Sequence, residues 1–279
     1  MQNIKLGFIG FGNMAQAMVK GLLLKEVLPA DQIYACAKNW EKLERTTGSF
    51  GVHPCHDARE VAEQTDLVIV AVKPYLVKEV LEPVRDLLKE KAIVSVAAGL
   101  LFEQYEEILG TGYHHLSTQP NTPVSVGEGV FVCENRHSLT AEQFETFQNV
   151  FSNISLVQLV DTRQFGIAGV IGGCGPAYGA MFIEALADAA VLYGLPRELS
   201  YALASQMLAG TGKMQVETKT HPGRSLLSGR DYDQRCGRTG TERIPRCSDR
   251  RHRRSHEEVK TFAQRVNSNV KTILSPMRL

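Results

Sequence analysis

Three small residues near the start of the chain have the spacing of a phosphate-binding turn. Gly10, Gly12 and Ala15 fit the pattern G-x-G-x-x-A, between an apolar run of strand length at 5–9 and a helical pattern at 13–24. The first glycine of such a turn permits a tight bend, the second lets the backbone approach a pyrophosphate, and the small third residue lets helix and strand pack closely. Backbone N–H groups at the helix start then face the anion. The pattern therefore predicts a dinucleotide site, with an ordinary structural turn as the alternative.

The end of the next predicted strand indicates which dinucleotide fits. Sites for NAD usually carry Asp or Glu at this position, where the carboxylate binds the ribose 2′-hydroxyl. Here the strand predicted at 32–37 is followed by Lys38 and Asn39, so a cation stands where the carboxylate would be. A cation suits a 2′-phosphate, and the sequence therefore favours NADP (NADPH). NAD stays open as a second cofactor, because Lys38 is also consistent with a solvated surface lysine.

The alternation of elements predicts how these residues are positioned. Strands that are apolar throughout and separated by helices are typical of a parallel sheet covered on both faces. Strands are predicted at 5–9, 32–37, 66–72, 92–97 and 129–133, and helices at 13–24, 39–47, 75–89 and 140–151. Beyond about residue 161 the strand signals end, and two long helices are predicted at 177–192, expected to be buried, and at 197–217. The sequence thus predicts an α/β domain over 1–160 and a helical domain over 161–279.

Composition indicates an ordinary globular protein. Hydrophobic residues make up 43% of the chain, charged residues 22%, and the formal net charge is +1, so nothing global favours nucleic acid or membrane as partner. We expect no signal peptide and no membrane span, and hence a cytoplasmic protein. The six cysteines lack CxxC pairs or regular spacing, so neither structural zinc nor a disulfide framework is expected. They are Cys36, Cys55, Cys133, Cys174, Cys236 and Cys247.

Four short strings follow the glycine turn in a fixed order. They are AVKP at 71–74, AAG at 97–99, PNTPVSVGEG at 120–129 and GCGPAY at 173–178. Each is weak alone, but together they resemble pyrroline-5-carboxylate reductase over about residues 1–223. The combination of PNTP with a downstream GxGPAY is the specific part.

The resemblance implies a Rossmann-type doubly wound sheet that holds NADPH, followed by an all-helical dimerisation domain, often assembled further into rings. The implied reaction reduces 1-pyrroline-5-carboxylate to L-proline by hydride transfer. The cofactor carries this reactivity and the protein supplies position and electrostatics, so no catalytic side chain and no metal are expected. The implied cofactor-binding residues are Ile9, Gly10, Phe11, Gly12, Asn13, Met14, Lys38, Asn39, Ala71, Val72, Lys73, Pro74, Ala97, Ala98 and Gly99. The implied substrate-binding residues are Asn121, Thr122, Gly175 and Pro176.

Several positions depart from the family pattern. Ser117 stands where the family usually has arginine, and Ala58 aligns with a usual asparagine. Gly172 and Cys174 replace two serines before the GPAY string. Each change removes a polar contact and puts the affinity for cofactor or substrate in doubt.

Two other functions stay open. A 3-hydroxyacid dehydrogenase also joins a Rossmann domain to a helical one, and Lys213 is the nearest candidate for its catalytic lysine, without a supporting motif. A non-catalytic NADP-binding protein that only dimerises is the third possibility. The pair at 114–115, His114 and His115, is expected in a surface loop, because adjacent residues of regular elements point apart.

An arginine-rich tract at 224–256 replaces the segment that the family uses to contact substrate. Ten of the 18 arginines lie between Arg224 and Arg254, and the family string SPGGTTI is missing. Suitable codons for 226–236, read one base later, give CSPGGTTISGA, and those for 242–254 give NGFRGAVIDAIDA. We therefore predict a local frame slip that ends near 255–257. A basic arm that binds nucleic acid or an acidic partner is the alternative, although the tract has only Tyr232 as an aromatic residue and no recognisable binding fold.

Overall fold

The computed structural model describes residues 4–219. Its strands are β1 (Leu6–Ile9), β2 (Ile33–Cys36), β3 (His53–Cys55), β4 (Leu67–Val70), β5 (Ala92–Ser95), β6 (His114–Pro120), β7 (Gly129–Glu134) and β8 (Ser155–Val160). They form one sheet in the order β3-β2-β1-β4-β5-β6-β7-β8. Neighbouring strands are parallel except β6 and β7, which pair antiparallel. The predicted parallel α/β sheet is therefore confirmed, with one antiparallel pairing that the sequence pattern did not indicate.

Helices connect these strands. They are α1 (Asn13–Leu24), α2 (Trp40–Phe50), α3 (Ala58–Gln64), α4 (Val77–Leu81), α5 (Phe102–Leu109), α6 (Ala141–Phe151), α7 (Thr162–Gly169), α8 (Gly175–Leu192) and α9 (Arg197–Thr218). The predicted helix at 13–24 is confirmed, and α6 begins with a capping box in which Thr140 and Gln143 bond each other's backbone. The predicted single helix at 75–89 is wrong. It is broken into α4 and two 3-10 turns, because Pro83 has no N–H to continue an α-helix.

The central strands are apolar throughout because both faces of the sheet are buried. Leu6 and Phe8 of β1 belong to the cluster that packs under α1 and α6. Ile9 belongs to the cluster on the opposite face, which includes residues of α3 and α5. Burial on both faces removes the polar alternation expected of a strand with one solvated face. It also fixes the register of β1 between β2 and β4, and hence the position of the turn that follows it.

The helical segment exposes apolar surface. Helices α7 and α8 are joined by a π-helical turn at Val170–Cys174 into one helix, Thr162–Leu192. In α8 only Ala187 is buried, so the prediction of a buried helix at 177–192 is wrong for a single chain. In the described part of the chain, Thr162–Leu192 is the one helix long and apolar enough to cross a membrane. Only 6% of its most apolar 18-residue stretch is buried. A large exposed apolar surface of this kind is typical of a site that contacts another protein or a membrane.

The described residues divide into two compact units between Ala177 and Tyr178. The first holds the whole sheet, all the strands and helices up to α7, and the start of α8. The second holds the rest of α8, then Gly194 in a left-handed conformation, then α9, whose Arg197 forms an ion pair with Asp188. The domain boundary predicted at 160/161 stays a prediction.

Candidate cofactor site

Gly10 holds the turn after β1 in a shape that only glycine adopts without strain. Its φ is +97°, and a Cβ at this position would lie 2.6 Å from the carbonyl oxygen of Ala71. Its N–H donates to the carbonyl of Cys36 at 3.0 Å. The turn is thus fixed between the carboxyl ends of β2 and β4, and a side chain at Gly10 would force them apart.

Gly12 has a different role from Gly10. A Cβ at Gly12 would meet no atom within 4 Å, so the backbone here borders open space. Gly12 is also the N-cap of α1, and no side chain caps this helix or places an acid in its first turn. The first N–H groups of a helix have no intrahelical acceptor, and they attract an anion. The chain therefore presents an uncapped amide surface at the position that the motif assigns to a pyrophosphate.

The other two turns predicted to contact the cofactor lie at the same edge of the sheet. Ala71 donates its N–H to Ile9 at 2.8 Å, and Val96 donates to Val70 at 3.0 Å, so β1, β4 and β5 end side by side. The AVKP and AAG turns start directly beyond these bonds. Gly99 has φ +81° with open space around its Cβ position. The structure thus brings residues 9–14, 71–74 and 97–99 to one edge.

Lys38 and Asn39 lie at this edge too, after β2. Lys38 is exposed. The side-chain oxygen of Asn39 accepts the N–H of Lys42 at 2.9 Å and caps α2. Next to them, Trp40 stacks on His56 with ring centroids 4.1 Å apart. The exposed Lys38 side chain could therefore bind a phosphate, whereas the side-chain carbonyl of Asn39 already caps α2.

The AAG turn is supported from inside the fold. Ser95 Oγ accepts the N–H of Ala97 at 3.1 Å and the hydroxyl of Tyr105, and Thr118 donates its hydroxyl to the Ser95 carbonyl at 2.8 Å. Burial raises the pKa of Tyr105, so its phenol stays neutral and acts as a donor. These bonds fix the start of the turn.

His115 corrects the prediction of a surface loop at 114–115. It lies in β6, its side chain is 1% exposed, and its ring stacks on Phe102 at 4.6 Å. Its Nε2 lies 2.9 Å from Glu106 Oε1. Burial lowers the pKa of His115 more than Glu106 raises it, so the neutral ring donates Nε2–H to the carboxylate. Sequence spacing alone did not reveal this pair, because its members lie on different elements.

Asn121 joins the PNTP turn to the segment before GPAY. Its Nδ2 donates to the carbonyl of Gly172 at 2.8 Å, and its Oδ1 accepts the N–H of Val130 at 2.9 Å. Thr122 is exposed at the start of the next turn, and Gly175 begins α8 with Pro176 beside it. The contacts favour a role for Asn121 in holding these segments. Direct substrate contact by Asn121 and the other three residues stays a prediction.

Replacing Asn121 by alanine is expected to lower the free energy of unfolding by about 1–3 kcal/mol, because the Val130 N–H would lose its acceptor. Thermal and urea unfolding measure this. Thr122→Ala, next to it and exposed, is the matched control and should change stability by less than about 0.5 kcal/mol. Equal stability of both variants would show that the Asn121 bonds do not hold the segment.

Known proteins share most of this chain. Residues 5–99 match the family model described as NADP oxidoreductase coenzyme F420-dependent, and residues 162–228 match the model for pyrroline-5-carboxylate reductase dimerisation. A pyrroline-5-carboxylate reductase of Treponema pallidum is 40% identical over 223 residues, which cover 78% of this chain and 84% of that protein. The chain belongs to the pyrroline-5-carboxylate reductase family. The family resemblance predicted from the four strings is confirmed.

Other relatives agree with this family assignment. The Escherichia coli pyrroline-5-carboxylate reductase is 36% identical over 221 residues, 78% of this chain and 82% of that protein. The Plasmodium falciparum pyrroline carboxylate reductase, solved with NADP bound, is 30% identical with a TM-score of 0.70, covering 80% of this chain and 86% of that one. A Coxiella burnetii pyrroline-5-carboxylate reductase structure has a TM-score of 0.74 at 27% identity, covering 97% of each chain. The Rossmann-type fold and the dimerisation segment are thus confirmed.

The structure shows the surroundings of the four residues that depart from the reductase pattern. Ser117 is 1% exposed in β6, and its Oγ has no hydrogen-bond partner within residues 4–219. Ala58 opens α3, whose N-cap is Asp57. A Cβ at Gly172 would approach side-chain atoms of Val132 at 3.2 Å, so a serine there would need those atoms to shift. Cys174 is exposed.

The dimerisation match ends at residue 228, inside the arginine-rich tract. The tract at 224–256 lies outside the described residues. The frame slip stays a prediction. Within the described residues, no group of three His, Cys, Asp or Glu side chains could hold a metal ion.

Proposed function

We propose that this chain binds NADPH at the carboxyl edge of its sheet and that the reaction it catalyses is the reduction of 1-pyrroline-5-carboxylate to L-proline. The observation that carries the proposal is the uncapped start of α1 beside Gly12, in a chain 40% identical to a pyrroline-5-carboxylate reductase. The Cβ position of Gly12 is open space, and a pyrophosphate must approach the backbone through this space. The residues present therefore fit NADPH.

The proposed roles of the residues follow the order of the strands. The N–H groups at the start of α1 bind the pyrophosphate, and Lys38 after β2 holds the 2′-phosphate. The turns after β4 and β5 then orient the nicotinamide half. When bound, NADPH supplies a hydride to the imine carbon, and a solvent proton completes the amine, which leaves NADP⁺. The chain's own residues supply positioning and the exclusion of water, and none is needed as an acid or base.

Turnover by this chain is proposed to be weak, because the tract at 224–256 replaces the substrate segment. An assay of NADPH oxidation with pyrroline-5-carboxylate tests this, alongside calorimetry with NADPH. Binding without turnover would match the non-catalytic alternative, and the absence of binding would refute the cofactor assignment. Lys213, the candidate lysine of the 3-hydroxyacid dehydrogenase alternative, is exposed on α9, and no observation favours that reading.

A homodimer is the proposed assembly, in the cytoplasm, with a larger ring as a further step. The exposed apolar residues of α8 and α9, among them Met181, Leu203 and Met207, lie in the segment matched to a dimerisation model. Helix α8 also carries Glu184 and Asp188, and acidic side chains are costly inside a bilayer. A monomer in sedimentation velocity, or recovery only with the membrane fraction, would contradict this assembly.

Lys38→Glu is expected to raise the Kd for NADPH about tenfold, because it replaces an attraction to the 2′-phosphate by a repulsion. The Kd for NADH, which lacks that phosphate, should change less than about threefold. Calorimetry with both cofactors measures the ratio. Lys42→Glu, one turn into α2 and also exposed, is the control. An equal change for NADPH and NADH would place the 2′-phosphate elsewhere.

A further inference from the structure

We propose that Glu134 is a positioning residue that holds the end of the AAG turn to the first residue of the dimerisation segment. The proposal rests on the proposed NADPH site. Glu134 is the last residue of β7 and is 1% exposed. Its Oε2 accepts the N–H of Phe102 at 2.8 Å, and its Oε1 accepts the hydroxyl of Thr162 at 2.7 Å. One buried carboxylate thus joins two segments that are distant in sequence.

Both partners of Glu134 begin helices. Phe102 is the first residue of α5, and Thr162 is the first residue of α7. A helix start carries N–H groups without intrahelical acceptors and a partial positive charge, so a carboxylate there is stabilised. A buried carboxylate is costly unless it is hydrogen-bonded, and here each oxygen receives a bond. The site therefore explains why a charge is buried at this position.

The contact lies at the open end of the AAG turn. Ser95 and Tyr105 fix the start of the turn, but Ala98 and Gly99 are exposed and Gly99 is left-handed. After two further residues the chain reaches Phe102, whose ring stacks on the buried His115. The bond from the Phe102 N–H to Glu134 thus holds the second end of the turn. Without it, the Phe102 N–H would lose its acceptor, and this end of the turn would depend on the Phe102–His115 stacking and on the bond from the Leu101 N–H to Gln104.

The strand order gives a readout that separates positioning from stability. Lys38, the glycine turn and the AAG turn follow β2, β1 and β5, so a bound dinucleotide would extend from its 2′-phosphate at β2 to its nicotinamide at β5. The ligand 2′,5′-ADP reaches only the first part of this edge. Loss of a contact that positions the turn should weaken the binding of NADPH and leave the binding of 2′,5′-ADP unchanged. General destabilisation of the fold should weaken the binding of both ligands.

The test compares Glu134→Ala with Glu134→Gln, whose amide can accept from Phe102 and donate to Thr162. We expect Glu134→Ala to raise the Kd for NADPH about tenfold and to change the Kd for 2′,5′-ADP less than about twofold. Glu134→Gln should restore most of the NADPH affinity. Glu103→Ala, an exposed glutamate of α5 that pairs with Arg136, is the control and should change neither Kd.

Amide hydrogen exchange of residues 97–102 in the free protein gives a second measurement. Glu134→Ala should speed exchange there and leave residues 13–24 unchanged, even if NADPH does not bind. Equal weakening of both ligands, or unchanged exchange at 97–102, would overturn the positioning role. Failure of the parent chain to bind NADPH, with faster exchange in Glu134→Ala, would instead refute the proposed function alone.

Discussion

Gly12→Ala is expected to raise the Kd for NADPH at least about tenfold, equivalent to about 1.4 kcal/mol, while leaving the fold unchanged. Gly12 has φ −80° and ψ −170°, which any residue adopts, and its Cβ position meets no atom within 4 Å. The added methyl therefore costs the free protein little. It occupies the space through which a pyrophosphate would reach the first N–H groups of α1. Calorimetry gives the Kd, and thermal unfolding checks the fold.

Two other glycines serve as controls for this substitution. Gly10→Ala should itself destabilise the protein, because φ is +97° and the new Cβ would lie 2.6 Å from Ala71 O. Gly48→Ala adds a methyl inside α2, again without an atom within 4 Å, and should raise helix stability by up to about 1 kcal/mol. Its Kd for NADPH should stay unchanged. If Gly12→Ala binds NADPH as tightly as Gly48→Ala does, the pyrophosphate does not lie at this helix start.

The glycine turn was predictable from sequence because its chemistry is local. Strand, turn and helix occupy residues 6–24 without interruption, and the spacing of Gly10 and Gly12 within that stretch is enough to place the turn and the helix start. The break at Pro83 is also local, yet the amphipathic spacing at 75–89 concealed it. A helical pattern thus outweighed a residue that cannot donate a backbone hydrogen bond.

Features that depend on distant partners were not predictable. Glu134 bonds residues 32 and 28 positions away, and no spacing rule connects them. His115 was expected in a surface loop because adjacent residues of regular elements point apart, but its burial depends on Glu106 and Phe102. The exposure of α8 has a third cause if the proposed homodimer forms, since the surface that covers it would then belong to another chain. Sequence alone therefore predicted which turns lie together at one edge of the sheet and missed the contacts that hold them.

Restoring the family segment is expected to raise turnover of pyrroline-5-carboxylate by at least about a hundredfold, since misplacing a substrate by 1 Å already costs about that much. The repaired chain carries CSPGGTTISGA at 226–236 and NGFRGAVIDAIDA at 242–254, in place of the residues of the parent chain. Its Kd for NADPH should match that of the parent, because the proposed cofactor residues lie between residues 9 and 99. The measurement is NADPH oxidation at saturating cofactor, with calorimetry alongside.

A control chain with the same inserted residues in scrambled order separates substrate contact from the mere loss of arginines. It should remain as slow as the parent, because the proposed hydroxyl and backbone contacts to substrate require the family order. Sequencing the gene across 224–256 gives an independent answer. A frame slip requires coding DNA that reads SPGGTTI when displaced by one base, with compensating changes near the codons for 223–226 and 255–257. If the DNA cannot encode that string in any frame, there was no frame slip, and the tract is a true feature of the protein. Equal turnover of the repaired and scrambled chains would show that other residues hold the substrate.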